Sequence, residues 1–460
     1  MKAIPVIAIF DIGKTNKKFF LLNEAYRIVL ERSVQFEETK DEDGDACEDV
    51  QGLRAWVQQT LKDVLQLKKF AIKAVNFSTY GASFVYIDDA GKVVAPLYNY
   101  LKPYPAALKQ QFYTTYGNAE AISRATASPV LESLNAGMQL YRLKHTQPNV
   151  YKQVQYALHL PQYISYLVTG KAYSDITSIG CHTQLWDFEQ KDYHPWVKQE
   201  GLEAKLAPLF SSNEAFETNV NGHALLAGIG LHDSSAALIP YLASFSEPFV
   251  LISTGTWCIS LNPFNSEPLT VAELANDCLC YMEYHGNPVK AARLFAGYEH
   301  EQQTKRLAAH FGKSANYFAQ VAFNIDLLQI QEPEDDVTGL PKMGLHTSGF
   351  ANRSLDEFDS YEAAYHQLMY DIILQQYAST SLILTNSVTR IFVDGGFSKN
   401  AVYMNLLAMV FPRKEIFAAS VSQATAIGAA LAIHKYWNTK AVPGDMIDLK
   451  FYTAAEKIEL

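Results

Sequence analysis

Apolar and polar positions set out a two-fold pattern along the chain. Residues 6–10 (VIAIF) are apolar, residues 11–16 (DIGKTN) break the run, and KKFFLLN resumes it. The return is aromatic and aliphatic, with no cap and no 3.6-residue rhythm, so the stretch reads as strand, tight turn, strand. From residue 51, QGLRAWVQQTLKDVLQLKK places Leu53, Trp56, Val57, Leu61, Val64 and Leu65 on one face, which predicts an amphipathic helix. Residues 71–88 (AIKAVNFSTYGASFVYID) read as a pair of strands broken at Tyr80-Gly81. From about 105 to 215 the pattern is largely helical, and segments such as SLNAGMQLYRLKHTQP and LHLPQYISYLVTG end in Pro or Gly. Near residue 243 the layout starts again. ASFSEPFVLISTGTWCISLNP gives a polar link, a strand, a turn at Thr254-Gly255-Thr256 and a second strand. RIFVDGGFSKN (390–400) then repeats a strand that ends in Asp and Gly. The period is far too long for a solenoid. It predicts two similar α/β halves, each opening on a strand–turn–strand loop, with a cleft between them.

The first turn carries Gly13-Lys14-Thr15, the letters that close a P-loop, but a P-loop needs a glycine five residues earlier and a helix after it. Position 8 is Ala, and a strand follows. Such a turn can still hold phosphate, because successive backbone N–H groups form an anion nest. Taken alone, the stretch is equally an ordinary hairpin; the echo in the second half favours a functional loop. In LLAGIGLHDSSAALIP (225–240), Asp233 occupies the third glycine position of a dinucleotide fingerprint, and no acidic residue about 20 positions on completes the pattern. His232-Asp233-Ser234-Ser235 instead places an Asp at the start of a helix, where plain capping by Asp233 or Ser234 is the structural alternative.

The 460 residues suggest two large domains or a few small ones, and 48% hydrophobic residues are enough for sizeable cores. Net charge is −10 and no basic stripe interleaves with aromatics, so nucleic acid is not an expected partner. The five cysteines lack metal or disulfide spacing and read as reduced thiols of a cytoplasmic protein. Neither a leader pattern nor an apolar run of about 18 residues is present, so no membrane association is expected. The acidic run FEETKDEDGDACEDV (36–50) reads as a solvated loop feeding an acidic first helical turn.

FDIGKTNKKF, STYGASF, LPQYISYLVTG, GIGLHDSSAAL, STGTWCISL, DGGFSKN and SQATAIGAALAI occur in the order found in the FGGY carbohydrate kinases, and together they cover essentially the whole chain. The chain resembles that family. The resemblance implies an α/β fold of two duplicated ribonuclease-H-like, actin/hexokinase-type domains (1–243 and 244–460) flanking a deep cleft. It implies Asp233 as the general base and Asp11 as the carboxylate that holds Mg²⁺. Gly13, Lys14, Thr15, Asn16 and Lys18 correspond to one phosphate loop, and Thr254, Gly255 and Thr256 to the other. Gly395, Gly396, Ser398 and Asn400 match the adenosine loop, with ATP as phosphoryl donor. Tyr80, Gly81, Ala82 and His232 fall where the family contacts its sugar. By chemistry alone Tyr80, Tyr98, Asn99, Tyr100, Gln162 and Trp257 suit a sugar pocket, though ordinary packing accounts for any single aromatic equally well.

Departures from the family bear on the sugar. PLYNYLKPYP (96–105) replaces a Trp/Arg/Asp-rich segment, Pro161-Gln162-Tyr163 replaces Pro-Asp-Tyr, and Gln423 stands where a Glu is common. The GLHDSS and STYGASF contexts favour 6-deoxyketohexoses such as rhamnulose or fuculose, with xylulose or ribulose as alternatives. A non-kinase actin-like ATPase and a sugar-binding regulator are the rival classes; the former has no use for a base at Asp233. Expected partners are a sugar and ATP, with a homodimer left open.

Overall fold

In the computed structural model, which describes residues 3–328 and 348–453, the opening apolar run forms β1 (Ile4–Ile12). It turns back antiparallel into β2 (Lys17–Asn23), and β3 (Ile28–Val34) extends that edge. Helix α1 (Val50–Leu65) buries Val50, Leu53, Val57, Leu61 and Val64 along the predicted stripe. β4 (Phe70–Thr79) then lies parallel to β1. Past α2 (Leu160–Thr169), the hairpin of β5 (Phe216–Val220) and β6 (His223–Ala227) and the short β7 (Leu231–His232) complete a seven-stranded sheet. Its order is β5-β6-β4-β1-β2-β3, with β7 against the end of β4.

Helix α3 (Asp233–Ser244) leads into the second half. There β8 (Phe249–Thr254) and β9 (Cys258–Asn262) form a hairpin, followed by β10 (Cys278–Met282) and β11 (Pro288–Leu294). Helices α4 (Ala296–His310) and α5 (Tyr361–Ile383), β12 (Arg390–Gly395) and α6 (Ala401–Val410) come next. β13 (Glu415–Ser420), α7 (Ala424–Ala432) and β14 (Asp448–Tyr452) end the described chain. The second sheet runs β10-β11-β9-β8-β12-β13-β14. The two sheets share one plan. A first strand turns back antiparallel, a third strand extends that edge, and two later strands join the first strand's other side in parallel. This is a ribonuclease-H-like sheet built twice, as the echoing hairpins predict.

α3 and α7 lie between the sheets, in a core that joins Ile7, Ile9 and Leu22 on one side to Leu251 and Phe392 on the other. The helices touch backbone to backbone: a Cβ on Gly428 would sit 1.8 Å from the Ala236 carbonyl oxygen. Asn76 of β4 ties the halves further, its Nδ2 donating to Ala429 O at 2.7 Å while its Oδ1 accepts from Gly230 N at 3.1 Å. A buried amide is tolerated only when both ends are satisfied in this way.

Three expectations change. The strands on either side of Tyr80-Gly81 belong to different sheets, because the chain turns at Ala82 (φ 58°) and Phe84–Ile87 pairs with Tyr156–His159. The 105–215 region holds helices such as Ala106–Tyr116 and Ala136–Thr146, but also a small hairpin of Trp186–Asp187 and Asp192–Tyr193. The acidic run is not simply solvated: Lys102 Nζ sits 2.6 Å from Asp41 and 2.8 Å from both Asp43 and Asp45. Asp49 caps α1 by accepting from Gly52 N, and the first turn of that helix contains no acidic residue. All five cysteines are buried and free, and no helix among the described residues is long and apolar enough to cross a membrane.

Candidate active site

Strand pairing places the two carboxylates. β1 and β7 both run parallel to β4, so Asp11 and Leu231 face Ser78 from opposite sides, two strand spacings or ~10 Å apart. Asp233 follows two residues later as the first residue of α3. Neither Asp233 nor Ser234 caps that helix; the capping position is His232, with no side-chain bond. The Asp233 carboxylate is therefore left to the cleft, with Oδ1 accepting from Ser234 N at 2.7 Å. Burial pushes the pKa of Asp233 up to about 6. Burial also raises Asp11 to about 6, and the charge of Asp233 adds to that rise. Thr425 Oγ1 donates to Asp11 Oδ2 at 2.6 Å, and Lys18, paired with Asp11 across the hairpin, draws the value down.

His232 is buried, stacks on Tyr281 at 5.7 Å, and has Nε2 3.2 Å from Asp233 Oδ1 and 3.4 Å from Cys181 Sγ. Burial draws its pKa down to about 4, so the ring is neutral near pH 7. The Nε2–H tautomer fits a carboxylate at that distance, and it leaves Nδ1 as a buried acceptor without a partner among the described residues. Gly81 makes room for this ring: a Cβ there would lie 2.8 Å from His232 Cδ2 and Nε2. Tyr80 N donates to Ile12 O at 3.1 Å, and Gln139 Nε2 holds the Ala82 carbonyl at 2.7 Å, which fixes the segment beside β1.

Two of the expected sugar residues are turned elsewhere. Gln162 spends its amide on the carbonyls of Ile229 (3.3 Å) and Gly230 (2.9 Å), bracing the loop before β7. Tyr98 donates to Glu42 at 2.7 Å and accepts from Gln147 at 3.0 Å, within a separate aromatic core. Tyr100 packs edge-on to Tyr80 at 6.2 Å and lies within electrostatic reach of Asp233.

The glycine loops divide into those that the backbone needs and those that leave space. Gly13 N donates to Asn16 O at 2.9 Å, closing the first turn, with Lys14 and Thr15 between. Thr254 is buried and knits the second-half loops together. Its Oγ1 donates to Asp394 O at 2.6 Å and accepts from Phe397 N at 3.0 Å, and its carbonyl accepts from Gly396 N at 3.0 Å. Gly395 has φ +92° and a Cβ there would lie 1.9 Å from Thr254 O; a Cβ on Gly297 would lie 1.8 Å from Gly255 O. Gly396 has open space instead, and a Cβ on Gly255 would make only an ordinary 3.9 Å contact with Trp257 O. Beside them a cavity of about 380 Å³ is lined by Thr254, Gly255, Gly297, His300, Phe318 and Asn400, among others. Asn400 caps α6, and Ser398 Oγ donates to Gly395 O at 2.8 Å, so both shape this loop. Thr256 carries the Tyr298 N bond at 3.1 Å. Gly297, His300, Phe318 and Thr425 were not singled out from the sequence; Thr425 lies within SQATAIGAALAI, and the signal for the others was the close-approach glycine in FAGYEH.

Two ribonuclease-H-like halves around a cleft, with Asp11 and Asp233 in electrostatic reach of each other and a glycine loop from each half, define a protein of the actin/hexokinase-type fold class. The chain belongs to the FGGY carbohydrate kinase family. Residues 6–239 match the FGGY family of carbohydrate kinases, N-terminal domain, and residues 246–441 match Carbohydrate kinase FGGY, C-terminal domain. Among curated proteins it is similar to the L-fuculokinase of Salmonella typhi, 26% identical over 276 residues (55% of each chain). It is also similar to the rhamnulokinase of Halalkalibacterium halodurans, 24% identical over 279 residues (57% of this chain, 55% of the relative). The chain thus spans about half the length of the curated relatives it matches. In fold it is similar to ligand-bound xylulose kinase from Lactobacillus acidophilus, with TM-score 0.77 and 18% identity over 98% of this chain and 94% of that one.

Proposed function

We propose that the protein transfers the γ-phosphoryl group of ATP to a hydroxyl of a neutral ketose, of the 6-deoxyketohexose type. The observation that carries this reading is Asp233, a carboxylate left unspent by helix capping, raised to about 6, and facing the same cleft as Asp11 and the glycine loops. A non-kinase ATPase of the same fold needs no such group there.

Phosphoryl transfer asks a protein for positioning and charge neutralisation more than for covalent chemistry. Asp233 takes the proton of the attacking hydroxyl, and neutral His232 orients its Oδ1 from 3.2 Å. Lys18, beside Asp11, supplies a cation for the phosphates, and the backbone around Gly13, Gly255 and Gly396 lets them approach closely. Asp11 suits Mg²⁺: it offers a hard oxygen ligand in Oδ1, which has no bonded partner among the described residues, and a cation would relieve the burial that raises its pKa. A bound Mg²⁺ would neutralise charge on the phosphate oxygens. The apolar cavity at Phe318 and His300, whose imidazole burial holds neutral, suits a base and ribose. The fuculokinase and rhamnulokinase similarities support the deoxyketose preference. Five buried free thiols suit a reducing cytoplasm.

A coupled ADP-release screen over L-fuculose, L-rhamnulose, D-xylulose, D-ribulose and glycerol tests the reading. Preferred turnover of a deoxyketohexose is the expected result; no sugar-dependent ADP release with any acceptor would overturn it.

A further inference from the structure

Lys14, the residue that gives the opening turn its P-loop appearance, is not poised for phosphate. Its Nζ lies 2.9 Å from Glu38 Oε1 and 2.7 Å from Glu48 Oε1. Glu48 is buried, and its second oxygen takes buried Lys17 at 3.1 Å; Lys17 also donates to the Lys14 carbonyl at 2.7 Å. Two lysines and two glutamates therefore cancel, so the cluster offers an incoming phosphate no net positive charge. Burial works against the Lys14 charge, but the bonds to Glu48 and Glu38 outweigh it and hold the ammonium protonated. Lys18, next to Asp11, has no carboxylate within ion-pair distance among the described residues; its Nζ donates to Gln423 Oε1 at 3.3 Å and keeps protons for a nucleotide.

The cluster borders the acceptor side of the cleft. Asn99 Nδ2 is 3.5 Å from Glu38 Oε1, and Tyr100 packs edge-on to Tyr80, whose neighbour Gly81 abuts the His232 ring beside Asp233; Lys14, Glu48, Glu38 and Asp233 all act electrostatically on Tyr100. The side chains of Lys14 and Glu38 keep 27% and 45% of their surface open, so both meet solvent. An ammonium has three protons, and two of those on Lys14 are spent on the glutamates. One donor remains, next to a second Glu38 oxygen that can accept. A vicinal diol satisfies such a pair, one hydroxyl accepting from Lys14 while the other donates to Glu38. A sugar acid would bring a carboxylate to a cluster whose lysines are already neutralised by Glu38 and Glu48, with Glu38 still facing solvent.

We propose that Lys14 and Glu38, braced by Glu48, form an acceptor-reading wall that recognises hydroxyls of a neutral polyhydroxyl sugar and contributes nothing to phosphate binding. The proposal rests on the kinase reading above and deepens it. The test compares wild type, Lys14→Met and Glu38→Gln, with L-fuculose, L-rhamnulose, D-xylulose and D-gluconate as acceptors, alongside calorimetric titration with a non-hydrolysable ATP analogue. Expected is a KM for the ketose raised ~10-fold or more in both variants, because a pocket built to bond a hydroxyl suffers when its partner is lost. Analogue affinity should stay unchanged, and D-gluconate should turn over poorly with wild type. A weakened analogue affinity with unchanged sugar KM would overturn the wall, as would gluconate turnover matching the ketoses. Should Lys14→Met fail to fold, Glu38→Gln decides alone, since Glu38 is half exposed; unchanged sugar KM there overturns the proposal. A wild type silent with every acceptor overturns the kinase reading and the wall together, whereas an active wild type with indifferent variants overturns only the wall.

Discussion

Gly395→Ala is the substitution whose effect follows most directly from the coordinates. The new Cβ would lie 1.9 Å from the Thr254 carbonyl oxygen, where ordinary contact begins at 3.4 Å. The obstacle is backbone and cannot rotate away, so the ends of β8 and β12 must part by about 1.5 Å to restore ordinary contact. That movement breaks the bonds from Gly396 N to Thr254 O and from Phe397 N to Thr254 Oγ1, both 3.0 Å. Each is worth ~1 kcal/mol net, and a left-handed backbone costs alanine a further ~1 to 2 kcal/mol. Distortion on the order of 3 kcal/mol falls on the wall of the 380 Å³ cavity, and ~100-fold weaker nucleotide binding is expected. Calorimetric titration with a non-hydrolysable ATP analogue measures it, with a thermal melt confirming a folded protein. Wild-type analogue affinity would refute both the packing reasoning and the position of the nucleotide site.

Gly81→Ala should act on the other substrate. Its Cβ, 2.8 Å from an imidazole boxed in by Tyr281 and Cys181, displaces His232 and with it Asp233; steady-state assays should show kcat lower by ~10²-fold with analogue affinity intact, and an unchanged kcat would contradict this. In the pH profile, kcat/KM should rise through about 6 as Asp233 loses its proton; an acid limb at the ordinary carboxylate value of 3.8 would contradict it. The same shift bears on stability. The folded state holds the Asp233 proton more tightly than the unfolded chain, so the stability it adds at acid pH is lost as pH rises from 3.8 to about 6. Above pH 6, Asp233→Asn should therefore melt higher than wild type, and an equal or lower melting temperature would count against the burial of that carboxylate.

Much of the fold was legible because it rests on local pattern. The hairpins of β1-β2 and β8-β9, the stripe of α1 and the Asp-Gly end of β12 are set by apolar alternation and turn residues within a dozen positions. The placement of Asp11 near the end of β1 and of Asp233 at the start of α3 follows from the same local pattern. The pairing of Lys14 was not. Its partners lie 24 and 34 residues away, and only the folded chain brings Glu38 and Glu48 to its ammonium. Gln162 is similar: its Nε2 donates to the carbonyls of Ile229 and Gly230, 67 and 68 residues away, which no local pattern shows. The cavity wall at His300 and Phe318 was invisible because neither residue sits in a motif, and long-range packing alone brings them to Gly396.

The central claim is that Asp233 is the base for transfer to a sugar, and Asp233→Asn tests it most directly, being nearly isosteric and removing only the proton acceptor. Measured by coupled ADP release with saturating ATP and the best ketose acceptor, turnover should fall by ~10²-fold or more while affinity for the ATP analogue stays at the wild-type value. Turnover near wild type in that variant would contradict the assignment.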